Sequence, residues 1–273
     1  MNILGVDFTS APSAKKPITV ARATLARDRL RLERIDRLAG WPAFDALLAE
    51  PGPWVGGFDF PFGQTRRLVE DLGWPDDWAG LVRHVERLGA RGFAEAVKAY
   101  EAARPAGSKQ PRRAVDRRTG GQPPQKVQWQ PVGLMFAQGA PRLLASGVHV
   151  AGLRESGDPR VAVEVYPGVA ARALVGRAAY EAETGDDGAK RAVRARLVAA
   201  LRDPALIETY GLSLEMSDAQ AARIVDEAKG DDLDAVLAAV QAAWASRRPR
   251  FGVPGDVDPV EGWISDPQTV ATG

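Results

Sequence analysis

The chain has 273 residues, a formal net charge of +1 and 45% hydrophobic residues, enough apolar material for one large domain with a sizeable core. With no cysteine and only two histidines it has no thiolate nucleophile, no disulfide and no Cys-based or multi-His metal site, so any resident metal must be held by oxygen. The near-neutral charge excludes a uniformly basic surface, no apolar run approaches the ~18 residues of a membrane span, and no basic n-region precedes a long apolar stretch, so a cytoplasmic protein without membrane association is expected.

Asn2-Ile3-Leu4-Gly5-Val6-Asp7-Phe8 is a short apolar run without helical spacing, which predicts a strand buried on both faces. It stops on an acid. Burying a carboxylate in an apolar layer is costly unless something neutralises it, so Asp7 is expected either where the strand reaches a metal, a cation or water, or as a cap of the turn Thr9-Ser10-Ala11-Pro12. Ile18 and Val20 in period 2 predict a second strand over 17–25, and Leu30-Arg31-Leu32 a third, the three running antiparallel between residues 3 and 37. Phe44, Leu47 and Leu48 predict a short helix over 41–49, ended by Pro51-Gly52-Pro53. The strand from Trp54 to Gly63 then repeats the first one, with a single acid, Asp59, near its end.

An insertion is expected over 64–155. Its first part, 64–104, reads as helical, with Leu81, Val82, Val85 and Leu88 in one apolar stripe and Trp74 and Trp78 in the core. Its second part, 105–130, is a basic loop in which, with Arg104 just before it, Lys109, Arg112, Arg113, Arg117, Arg118 and Lys126 face only Asp116. Two readings are open there: a solvated excursion, or a nucleic-acid-binding arm whose cations contact phosphates while Gln122, Gln125, Gln128, Trp129 and Gln130 bond to or stack on bases. Residues 131–160 give only short buried pieces at Leu134-Met135-Phe136 and Val148-His149-Val150, with His149 read as a packed histidine.

A further β-branched strand from Arg160 carries Glu164 and ends at Pro167-Gly168, followed by a helix over 169–175, a polar loop from Thr184 to Gly188 and a helix over 189–201. Ser217 with Gln220 forms a capping-box pattern for a helix reaching Glu227. In the last helix Leu233, Val236, Leu237, Val240 and Trp244 make one apolar stripe. At ~100° per residue, Asp231 and Asp234 lie ~60° apart on one flank of that stripe and Asp232 on the opposite flank. Acids are common in a first helical turn for dipole reasons, but that does not explain why Asp234 borders the buried side.

In this order the elements resemble the ribonuclease H-like fold. Ile3-Leu4-Gly5-Val6-Asp7 and Asp231-Asp232-Leu233-Asp234-Ala235-Val236-Leu237-Ala238 are similar to the first strand and the closing D-x-x-D-A-L-A helix of the Holliday-junction resolvases. The resemblance is closest to an uncharacterised family of predicted nucleases with D-x-P, E-x-Y-P, D-D-x-L-D-A and E-G-W-I elements. Here these are Asp59-Phe60-Pro61, Glu164-Val165-Tyr166-Pro167, a one-residue-shorter Asp231-Asp232-Leu233-Asp234-Ala235, and Glu261-Gly262-Trp263-Ile264. The resemblance implies an α/β fold in one domain over 1–273. Its ribonuclease H-like mixed sheet, three antiparallel strands followed by parallel strands, would be flanked by helices and carry the helical and basic-loop insertion.

The residue chemistry points the same way. Phosphodiester hydrolysis without histidine or cysteine needs a nucleophilic water and a stabilised leaving oxygen, and two divalent ions ~3.5–4 Å apart supply both. Mg2+ or Mn2+ suits an acids-only site. Asp7 is expected to bridge the ions, Asp59 to ligate one, and Asp231 and Asp234 to complete the other, whereas Glu164 is either a ligand or a structural acid. The expectation is a metal-dependent nuclease. G-x-S-x-G, Walker A and strand-linked G-x-G-x-x-G signatures are absent, which excludes serine hydrolases, P-loop ATPases and Rossmann dehydrogenases. Asp7-Phe8-Thr9-Ser10 resembles the first phosphate-binding turn of the actin and sugar-kinase superfamily, but those proteins carry the fold twice and only one strand trio is found here. The remaining alternative is a catalytically silent module that binds nucleic acid or protein. Neither the type of nucleic acid nor the oligomeric state, a homodimer included, is set by the sequence.

Overall fold

The apolar run at the start of the chain is the central strand of the sheet. In a computed structural model that describes residues 1–182 and 188–270, β1 (Asn2–Asp7) is buried from Ile3 to Val6 and pairs antiparallel with β2 (Ile18–Ala26), which pairs antiparallel with β3 (Arg29–Leu38). On its other side β1 runs parallel to β4 (Trp54–Phe58), and β4 runs parallel to β6 (Arg160–Glu164). Two short strands complete the edges, β5 (His149–Val150) beside β6 and β7 (Ser213–Glu215) beside β3, both parallel to their neighbours. The result is a mixed seven-stranded sheet of order β5-β6-β4-β1-β2-β3-β7. Because β1, β4 and β6 are parallel and in register, their carboxyl ends fall side by side, which puts Asp7, Asp59 and Glu164 along one rim.

Helices cover both faces. One face packs Leu4, Val6 and Phe58 against α1 (Trp41–Leu48), α2 (Arg66–Asp71), α3 (Trp78–Ala102) and α5 (Val132–Ser146). The segment 64–155 therefore supplies much of this layer. Trp78 is buried in it, while Gly89, at φ +67°, interrupts α3 and leaves Leu88 at the surface rather than in the expected stripe. The stretch after 131, where no element was expected beyond short pieces, holds the fifteen-residue α5, and His149 packs against Phe251. The basic stretch contains a short helix, α4 (Ala114–Thr119).

The other face packs Ile3, Val55 and Val163 against α6 (Pro167–Val175), α7 (Gly188–Leu201), α8 (Pro204–Tyr210), α9 (Asp218–Asp226) and α10 (Asp231–Ala245). Ser217 and Gln220 form the capping box at the start of α9. The polar loop expected at 184–188 falls outside the described residues except for Gly188. Among the described residues no helix is long and apolar enough to cross a membrane.

The helix α10 is buried on every side from Ala235 to Ala245, because it lies directly on β1 and β4. The sheet presents glycines to it and the helix presents alanines. A β-carbon on Gly5 would stand 2.0 Å from the Ala235 carbonyl oxygen and 2.2 Å from the Ala239 amide nitrogen, and one on Gly57 would stand 2.5 Å from the Ala238 carbonyl oxygen. Only residues without a β-carbon allow this approach of backbone to backbone. It brings the acidic first turn of α10 to the carboxyl ends of the parallel strands.

Candidate active site

An open cavity of about 840 Å3 lies at the carboxyl ends of β1 and β4, the place where open α/β sheets commonly take ligands. Asp7 ends β1, and Asp59 follows β4, held there by its amide donating to the Val6 carbonyl at 3.0 Å. Asp231 and Asp234 come from the first turn of α10. All four line the cavity and are half-buried.

Their electrostatics are those of crowded negative charge. Burial, then Asp234, Asp231, Asp59 and Glu181, push the Asp7 carboxyl well above its ordinary range. Burial, then Glu181 and Glu164, push Asp59 up to about 8. Asp234 is raised by burial and Glu181, and this is partly offset by the Tyr180 hydroxyl, which donates to its Oδ1 at 2.6 Å. Burial and Glu227 raise Asp231, whereas Lys229, Arg37 and Lys16 oppose the shift. Among the described residues no Lys or Arg bonds to Asp7, Asp59 or Asp234. A cluster of this kind is stable as protonated acids or with a bound cation.

Glu164 is placed differently. Its Oε1 and Oε2 accept from the two terminal nitrogens of Arg113, at 2.6 and 2.9 Å, and Oε2 also accepts from the Phe62 amide at 2.9 Å. Arg113 binds Asp116 as well, through Nε and Nη2, and donates to the Glu261 carbonyl at 2.7 Å. Arg113, Asp116 and Glu164 are all buried. Glu164 thus neutralises an arginine at the margin of the carboxylate cluster.

This corrects the reading of Arg113 as a phosphate contact. A guanidinium that is 2% exposed and saturated by two carboxylates is a structural staple, here joining the basic stretch to β6 and to Glu261. Arg112, Arg117 and Arg118 are exposed. Arg117 donates to the Arg112 carbonyl, and Arg118 donates to the Thr269 carbonyl and lies over the Trp263 ring. Lys126 is half-buried and bonds the Gln122 side chain at 2.9 Å, and Gln125 is fully buried.

Asp232 points away from the cavity. It is fully buried and pairs with Arg37 at 2.6 Å and Arg223 at 3.2 Å, a firmer structural tie than a first-turn acid on the surface would make.

Tyr180 and Glu181 belong to the site but were not singled out from the sequence. They lie in an irregular stretch between α6 and α7, with no periodicity or motif to mark them. Among the described residues no three acidic or histidine side chains stand close enough together to cage an ion unaided. The donor set is all oxygen and has no Lys or Arg bonded to Asp7, Asp59 or Asp234 among the described residues, a chemistry that suits a hard divalent ion only with water and ligand oxygens completing its shell.

A family model described as "Protein of unknown function (DUF429)" matches residues 5–258. The chain belongs to this family. The DUF429 match takes in Asp7, Asp59, Glu164, Asp231 and Asp234 together with Arg113, Tyr180 and Glu181, and stops short of Glu261-Gly262-Trp263-Ile264. No curated protein and no solved structure matches the chain.

Proposed function

We propose that this member of the DUF429 family is a nuclease dependent on Mg2+ or Mn2+, built on a ribonuclease H-like sheet. The strand sequence β3-β2-β1-β4-β6, antiparallel then parallel, with α10 closing over the first strand, supports the fold reading. The observation that carries the activity is the convergence of Asp7, Asp59 and Asp234, from three separate elements, on one open cavity without a cationic partner among the described residues.

Asp7, Asp59 and Asp234 would hold the cation, with Asp231 at the margin. When bound, a divalent ion would supply positive charge to polarise a phosphodiester and acidify a water. Tyr180 orients the Asp234 carboxylate by donating to its Oδ1, and Asp234 would hold the ion in that orientation. Arg113 pairs with Glu164 and supplies a counter-charge to the acid that, after Glu181, adds to the repulsion at Asp59. Exposed Arg112, Arg117 and Arg118 offer positive charge to a nucleic-acid backbone.

That no ready-made three-acid cage stands among the described residues favours one second reading, a module that binds nucleic acid without cutting it. A single experiment separates the two. Wild-type protein and Asp7→Asn are incubated with a panel of single-stranded, duplex, hybrid and branched nucleic acids, in Mg2+, Mn2+ or EDTA. The nuclease predicts cleavage that needs the metal and falls at least about a hundredfold in the variant, since each factor of ten is ~1.4 kcal/mol of transition-state stabilisation. Binding without cleavage under every condition would support the silent module.

A further inference from the structure

We infer that the substrate enters as an unpaired strand and that one of its bases stacks on Trp129 beside the carboxylate cavity. This rests on the nuclease reading for the role of the cavity, but the evidence for it is separate. Trp129 is 94% exposed, whereas Trp54, Trp78, Trp244 and Trp263 are all buried. An indole left in water keeps both ring faces free as a stacking surface.

The exposure does not come from a slack loop. On one side of Trp129, Gln125 is fully buried and donates to the Pro111 carbonyl at 3.0 Å, and Gln64 donates to the Pro124 carbonyl at 3.0 Å. On the other side the Gly133 amide donates to the Lys126 carbonyl at 2.8 Å and the Val132 amide to the Gln130 carbonyl at 2.9 Å. Between these anchors Trp129 adopts φ +63°, a left-handed conformation that is unfavourable for a residue with a β-carbon. The backbone therefore holds the ring out in a strained setting, as binding sites often do.

Its position selects the ligand. Trp129 lines the same cavity as Asp7, Asp59 and Asp234, with Gln130 beside it and the exposed Arg177 elsewhere on the wall. A planar ring, adjacent amide groups and a cation, set next to a site for a phosphodiester, match a nucleotide. A base within a duplex has both faces covered by its neighbours, so the indole can reach one only in an unpaired strand or after the base has left the stack.

The test uses wild type, Trp129→Ala and Trp129→Phe with a fluorescein-labelled oligonucleotide of mixed sequence, offered as single-stranded DNA, single-stranded RNA and duplex DNA. Binding is read by anisotropy in EDTA, and cleavage of the same strands separately in Mg2+. At least one single strand should bind tenfold or more tightly than the duplex. Trp129→Ala should weaken that single-strand binding roughly 5- to 150-fold, the equivalent of ~1–3 kcal/mol per stacked base, while Trp129→Phe keeps most of it. The salt dependence should stay the same, since no phosphate contact is lost.

Equal binding by wild type and Trp129→Ala, a preference for duplex, or no binding to any strand would overturn the inference. Binding that depends on Trp129 without cleavage would keep the stacking site and remove the nuclease. Cleavage indifferent to Trp129 would do the opposite.

Discussion

Gly5 on β1 lies so close beneath Ala235 on α10 that a β-carbon there would stand 2.0 Å from the Ala235 carbonyl oxygen. The next residue of the helix toward its N-terminus is Asp234, and two residues beyond Gly5 is Asp7. The close packing of helix on strand is thus what brings the two carboxylates to one cavity. A chain without glycine at this position would keep the acids but hold the helix farther off.

Gly5→Ala is accordingly expected to do two kinds of damage. Both obstructing atoms are backbone, so the helix has to shift, at a cost of at least the ~1–3 kcal/mol usual for overpacking. The shift should also weaken Mn2+ binding. Denaturant unfolding and calorimetry on the same preparation check both effects, and a Gly5→Ala variant with wild-type stability and affinity would mean the approach is less tight than described.

Arg113 and Glu164 form the second tie that matters. Arg113→Ala leaves the buried carboxylates of Glu164 and Asp116 without a counter-charge and is expected to cost about 3–5 kcal/mol. Glu164→Gln should lower stability while leaving Mn2+ affinity near that of wild type. A variant at Glu164 that folds normally but loses the metal would instead make this acid a ligand.

These two ties also show what a sequence can and cannot reveal. The strands β1, β4 and β6 were legible because each is an apolar run ending near an acid, and α10 was legible from its stripe. The helix α5 was hidden by Gly133, Gly139 and Pro141, all of which weaken a helical pattern that tertiary packing nonetheless sustains. The strand β7, three residues long, had too little length for any period to show. Arg113 read as part of a cationic loop because its partner Glu164 lies 51 residues away, and charge alone carries no address. Glu181 had no signal at all, since only the folded chain brings it toward Asp7 and Asp59.

The pH dependence of stability follows from Asp59. In the metal-free protein its carboxyl titrates at about 8, against ~3.9 for a carboxylate in an unfolded chain. Between those values the folded state holds a proton that the unfolded state has released, so stability is greatest at the acid end and declines as pH rises toward 8. Asp7 and Asp234, both raised, act in the same direction. Thermal melts in EDTA should fall between ~pH 5 and ~pH 8, and Mn2+ should reverse the fall. A flat profile in EDTA would show that the carboxylates are already compensated.

The acids of the α10 first turn should separate by function. Asp232→Ala removes a buried carboxylate shared by Arg37 and Arg223; because both arginines are partly exposed and can hydrate, the expected loss is about 1–2 kcal/mol, with little change in Mn2+ affinity. Asp231→Ala should leave stability nearly unchanged and weaken Mn2+ binding several-fold. If the two variants behave alike in both measurements, the two flanks of the helix are not functionally distinct.

Calorimetric titration of the metal-free protein with Mn2+, run beside Asp7→Asn, Asp59→Asn and Asp234→Asn, tests the central claim most directly. A carboxylate cluster built for a cation predicts that wild type binds, that each variant binds at least tenfold more weakly, and that in EDTA at ~pH 8 each variant melts no lower than wild type because a repelling charge is gone. Absence of binding by wild type, or variants that bind as it does, would contradict the account.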